Sequence, residues 1–187
     1  MSPHCSEERR ALLAVARRAI VEATRGERPA RIPHRRDPDS ALVAAPGVFV
    51  TLRYRGRLRG CVGQIETVET MGEVVAHCAV AAARDDPRFE PVEESEVGEL
   101  EIEISLLSAL ESMAANEIEI GRHGLVVQRG SRRGLLLPQV AVEQRWQWQR
   151  FVEETCVKAG LSRDAWKDPA TRTFAFTTEV VSEAASE

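Results

Sequence analysis

The sequence predicts an α+β fold, and three observations carry that expectation. An apolar run, Gly47 to Tyr54, is followed across Arg55-Gly56 by a second strand-like run, Arg57 to Gln64, so the pair reads as a hairpin. Leu100, Ile102, Ile104 and Leu106 alternate with Glu101, Glu103 and Ser105, the pattern of a half-buried antiparallel strand with an acidic outer face. Helical segments with a single apolar face precede and separate these runs. Hairpins with helices laid over one side exclude a doubly wound parallel sheet.

Ser6 to Arg25 is the first helix: Ser6 can cap it, Glu7 and Glu8 suit its positive end, and Gly26 can stop it. Leu12, Ala16, Ala19, Ile20 and Ala23 recur at helical spacing on one face. Residues 27–46 hold four prolines and several arginines with no apolar period, and read as a long loop. In the hairpin, a two-residue Arg55-Gly56 loop sets Cys61 opposite Val50 and Arg59 opposite Leu52. Cys61 then shares a face with Val48, Val50, Leu52 and Tyr54, a core face; a one-residue slip would reverse every face. Thr70 to Glu73 is a capping box opening a helix to about Arg84, with a face of Val74, Val75, Cys78, Ala79 and Ala82 small enough for close packing on a sheet. Asp85-Asp86-Pro87 ends it. His123 to Gln128 and Gly134 to Leu137 form a second hairpin, joined through residues 129–133. Helical patterns follow Pro138, the later one closed by Gly160. Thr171 to Val180 reads as one strand returning to the sheet, and the tail from Ser182, residues 182–187, is expected to fray.

At 187 residues the chain can bury a core as one domain or two small lobes. Apolar residues make up 43% and charged residues 29%, an ordinary globular composition. The formal charge of −4 disfavours nucleic acid as a partner, because such binding usually rests on a basic footprint. No run approaches the roughly 20 apolar residues of a membrane span, and the polar start lacks a signal peptide's apolar stretch, so a cytoplasmic protein is expected. The four cysteines, Cys5, Cys61, Cys78 and Cys156, form no C-x-x-C pair. They read as free thiols, mostly buried, and the histidines offer no metal site.

Six segments together resemble the AMMECR family: Pro46 to Gly63, Asp86 to Pro91, Leu100 to Leu107, Gly121 to Val126, Gly134 to Ala141 and Cys156 to Leu161. They cover most of residues 46–180 in the family's order. The resemblance implies an intracellular protein with two lobes of antiparallel sheet and packed helices, here a single AMMECR-like domain over residues 1–187. It implies no established activity and no known cofactor. It also implies pathway partners, since bacterial and archaeal members are often encoded beside a Memo-like protein and a radical SAM protein. The chain departs from the family's pattern at Val62, often Ile; at Arg145, often Gly; at Gln147, often Asp; and His123 occupies a variable position.

Cys61, between Gly60 and Gly63 in Leu58-Arg-Gly-Cys-Val-Gly63, is the first candidate. It is a nucleophile if nearby cations lower its pKa, with Arg59 on the same face, or else a small hydrophobe wedged where strand and helix approach. Gly60 and Gly63 leave its surroundings open to a small ligand or fill a tight junction. Arg59 and Arg88 suit bidentate binding of a small anion, and Asp86 pairs with either of them; the alternative is a structural bridge. His123 is a candidate base for Cys61, or a surface histidine at a strand start. Gln139 and Glu143, i and i+4 after Pro138, can read a small polar ligand or cap the helix. The arginines at 25, 28, 31, 35 and 36, and at 129, 132 and 133, are solvated charge or a phosphate-binding edge. Two functions stay open: an enzyme or small-anion-binding pathway component with its cleft near Cys61, and a non-catalytic protein- or nucleic-acid-interaction module.

Overall fold

A computed structural model of the chain describes residues 6–27, 47–65 and 69–183, so the long loop expected at 27–46 and most of its arginines lie outside the described residues. The chain divides into two units, Met1–Leu107 with Glu179–Glu187, and Ser108–Thr178. The elements in order are α1 (Ser6–Thr24), β1 (Gly47–Tyr54), β2 (Arg57–Gln64), α2 (Met71–Arg84), β3 (Leu100–Leu107), β4 (Glu111–Ser112), β5 (Gly124–Arg129), β6 (Arg132–Leu136), α3 (Pro138–Glu143), α4 (Trp148–Lys158), β7 (Arg172–Phe176) and β8 (Thr178–Ser182). Helices combined with antiparallel sheet make the fold α+β, as the sequence predicts.

In the first unit a four-stranded sheet runs β2-β1-β3-β8, with β2 and β8 at its edges. Val48, Val50 and Leu52 of β1 and Ile102 and Ile104 of β3 pack one face of it against α1 and α2. α1 ends as its sequence requires: Gly26, at φ +72°, lets Glu27 N–H reach Glu22 C=O and its own N–H reach Ala23 C=O. α2 opens with the capping box at Thr70 and Glu73. Its Ala and Val face sits close on the sheet, close enough that a Cβ at Gly60 would stand 2.0 Å from Ala82 O.

The Arg55-Gly56 turn forms as expected, with both residues at positive φ, the backbone of a primed two-residue turn. Beyond it the register departs from the expectation. Tyr54 pairs with Arg57 and Arg53 with Leu58, but Leu52 then pairs with Gly60 and Thr51 with Cys61. Arg59 is the extra residue of a β-bulge, and a bulge shifts every later side chain to the other face. Gly60 and Val62 therefore face α2 and the core, and Cys61 does not share the face of Val48, Val50 and Leu52.

The second unit holds a sheet in the order β4-β7-β5-β6 with α3 and α4, around Leu125, Val127, Phe151, Val152 and Cys156. Its hairpin is tighter than expected: β5 and β6 run on to an Arg129–Arg132 pair around Gly130-Ser131. The run from Thr171 is two strands and not one, because β7 belongs to the second sheet and β8 to the first. The tail does not fray at Ser182, since Glu183 accepts from Arg17 and from Ile102 N–H at 3.1 Å; only 184–187 lie outside the described residues. Among the described residues no helix is long and apolar enough to cross a membrane.

Candidate functional site

An edge strand presents unpaired N–H and C=O groups outward. At Cys61 both are taken up by side chains. Cys61 N–H donates to Asp86 Oδ2 at 2.9 Å, and Cys61 C=O accepts from Arg88 Nη2 at 3.3 Å. Asp86 and Arg88 stand where a neighbouring strand would otherwise pair. The D-P-R-F turn after α2 brings them there. Asp86, only 4% exposed, also accepts from Arg88 N–H at 3.2 Å, Nε at 2.9 Å and Nη2 at 2.6 Å. The Arg88 fork holds the Asp86 carboxyl far below the usual carboxylate range, helped by the Cys61 N–H and opposed by burial.

Arg88 is thereby fixed while half of its side chain, 53%, stays exposed, with its guanidinium 5.4 Å from the Phe89 ring centre. Its pKa is raised, first by the Asp86 hydrogen bonds and in smaller part by the Cys61 side chain. On the neighbouring strand Thr51 stands directly opposite Cys61, and its Oγ1 donates to Cys61 Sγ at 3.4 Å. The sulfur is thus met by a hydroxyl donor, and the carbonyl of the same residue by a guanidinium. Cys61 is half-buried, whereas Cys78 and Cys156 are buried. Burial pushes the Cys78 thiol up to about 11 and raises that of Cys156, so these two are protonated packing groups. Cys5 lies outside the described residues.

Arg59 has a different role. Its fork closes on Glu96, Nε to Oε1 and Nη2 to Oε2 both at 2.9 Å, and it donates to Glu90 O at 2.7 Å and Pro91 O at 3.1 Å. The ion pair lowers the Glu96 carboxyl pKa. Of the two partners open to Asp86, the structure selects Arg88; Arg59 ties residues 90–96 to β2. Gly60 and Gly63 are points of close approach: Gly63 lies under its cross-strand partner Phe49, whose Cγ would be 2.3 Å from a Cβ there.

The remaining candidates lie in the second unit. His123 is buried at 7% exposure; its Nδ1 accepts from Glu119 N–H at 3.1 Å and its backbone N–H donates to Glu119 O at 3.0 Å. Gln139 and Glu143 belong to the six-residue α3, the first half-buried and the second exposed. Arg129 pairs with Asp168 at 2.7 Å and Arg132 donates to Gly160 O at 3.0 Å, so this arginine cluster is engaged within its own unit. Among the described residues no group of three or more His, Cys, Asp or Glu is placed to hold a metal ion.

Sequence reasoning missed Thr51 and Glu96. Thr51 is the one polar side chain inside Val48–Leu52, a signal that acquires meaning only in the bulged register. Glu96 carries no local signal, because its partner is 37 residues away.

Comparison with known proteins places the chain. A family model described as AMMECR1 matches residues 13–181. A protein of Methanothermobacter thermautotrophicus is 39% identical over 189 residues, covering 97% of each chain. Protein MK0488 of Methanopyrus kandleri is 38% identical over 95% of this chain and 89% of its own. The crystal structure of the uncharacterized protein PH0010 from Pyrococcus horikoshii superposes with a TM-score of 0.83 at 38% identity, covering 91% of this chain and 88% of that one. This chain belongs to the AMMECR1 family.

Proposed function

We propose that the chain is a small-molecule-handling protein whose working centre is the Cys61 thiol, with Arg88 receiving an anionic group of the ligand beside it. The observation that carries this reading is the setting of Cys61: a half-buried sulfur hydrogen-bonded by Thr51, on a residue whose carbonyl accepts from a guanidinium that Asp86 holds in place. A fixed, half-exposed fork suits a carboxylate or phosphate. The proposal covers a catalytic thiol or a binding one, acting in the pathway of Memo-like and radical SAM partners; a tagged chain that never co-purifies with them would remove that last element.

The test compares alkylation of the three described cysteines by iodoacetate, an anion, and iodoacetamide, its neutral counterpart, mapped by mass spectrometry. Cys61 should react in the native chain while Cys78 and Cys156 do not. It should favour iodoacetate more than glutathione does, with inorganic phosphate protecting it. Arg88→Gln should remove that preference. An unreactive Cys61, or a preference untouched by Arg88→Gln, would overturn the reading.

A further inference from the structure

A separate cleft of about 300 Å3 lies at the other edge of the first sheet, lined by Ser6, Arg9, Arg10 and Leu13 of α1 and by Val180, Val181 and Ser182 of β8. The four α1 residues fall at i, i+3, i+4 and i+7, one helix face. The three β8 residues are consecutive. Side chains alternate across a strand, so three successive residues line one cleft only if it runs along the backbone edge itself. β8 is an edge strand, and the cleft is a groove between that edge and a helix. Leu13 and Val181, 6% and 4% exposed, form an apolar floor, and Val180 is 47% exposed beside it. The lining carries two positive charges and no negative one. Arg9 is paired with Glu179, while Arg10, exposed, makes its one described hydrogen bond to Ser6 O of its own helix, at 3.3 Å.

We propose that this groove receives an extended, acidic segment of a partner protein, which adds to β8 as a further strand. Main-chain hydrogen bonds to the β8 edge hold the segment, alternate apolar side chains enter the groove over Leu13 and Val181, and an acidic side chain meets Arg10. Edge strands flanked by a helix bind extended peptides by this combination of backbone pairing and side-chain pockets. The inference is independent of the Cys61 reading, which concerns the opposite edge of the sheet.

The experiment titrates the full-length 15N-labelled chain with a capped octapeptide in which Val alternates with Glu and Thr. Amide shift changes should concentrate in Val180–Ser182 and the first two turns of α1. Arg10→Glu should weaken binding about tenfold, the scale of one interfacial charge pair, and a Lys-for-Glu peptide should partly recover on that variant. A peptide N-methylated at alternate residues, lacking the donors a strand needs, should not bind. Absence of binding, shifts elsewhere, or indifference to N-methylation overturns the proposal. So does concentration-dependent self-association that moves the same amides without peptide, which assigns the groove to a second copy. Binding seen only after removal of residues 1–5 overturns it too, by making the chain's own start the occupant.

Discussion

At β2 the outward N–H and C=O of Cys61 are closed by Asp86 and Arg88, whereas at β8, on the far side of the same sheet, the backbone of Val180–Ser182 borders a cleft. Both are edge strands of one antiparallel sheet, with the same intrinsic tendency to accept another strand. The contrast shows that an edge is finished by what the following loop supplies. After α2 the D-P-R-F turn delivers a carboxylate and a guanidinium to β2, and their ion pair closes the backbone while holding a cation next to a thiol. At β8 the neighbouring helix offers an apolar floor and two arginines, of which Arg9 pairs with the Glu179 side chain and not with the strand backbone. The occupant proposed for the closed edge is a small molecule, and that for the open one a chain.

Substitutions can break this contrast in graded steps. The largest effect is expected from Gly60→Val, which drives side-chain carbon into Ala82 O and separates β2 from α2. Overpacking against backbone should cost about 3 kcal/mol, read from urea unfolding. Asp86→Asn comes next. It removes the charge from a group accepting four hydrogen bonds, for a loss of about 2 kcal/mol. It should also leave β2 an open edge, visible as concentration-dependent association in sedimentation.

The same group sets an acid limb. The folded pKa of Asp86 is depressed, so its contribution is complete above the unfolded value of about 4 and is lost progressively as pH falls below it. The melting temperature should therefore drop below about pH 4 in the native chain and drop less in Asp86→Asn. A parallel acid limb in the two proteins would show that Asp86 does not close this edge. Arg59→Met leaves Glu96 and two carbonyls without their donor and should cost about 1–2 kcal/mol while leaving the Cys61 alkylation rate unchanged. A slowed alkylation would make Arg59 part of the thiol centre. At the open edge, Val180→Glu should stay within about 0.5 kcal/mol of the native chain by thermal unfolding, since the side chain is half exposed.

Much of the fold was legible in residue order. The capping box at Thr70, the Arg55-Gly56 turn and the alternation through Leu100–Leu106 are local signals, and local geometry follows them. The division of residues 171–180 between two sheets was not legible, because β7 and β8 are separated by Thr177 alone and carry the same alternation. The candidate site was half readable. Cys61, Asp86 and Arg88 stand out as residue types, but their meeting depends on a bulge that two-residue counting from the turn cannot reveal. The pairing of Arg59 with Glu96 depends on a 3-10 segment, Glu94–Glu99, whose only sequence mark is a cluster of acids. At Arg145 the family's usual Gly has an account in structure: the backbone there has φ +54°, which glycine adopts without strain and arginine does not.

The bulge at Arg59 makes the fate of the sulfur a matter of parity. Whether Cys61 meets solvent or the interior depends on whether one residue between it and the turn is left out of the pairing, and on nothing in its immediate chemistry. The same residues paired straight through, without the bulge, would keep every motif around the cysteine and yet set it opposite Val50 and present its thiol to α2. An identical Leu58–Gly63 signature is thus compatible with opposite accessibility of its thiol, and the strand pairing, not the motif, decides between them.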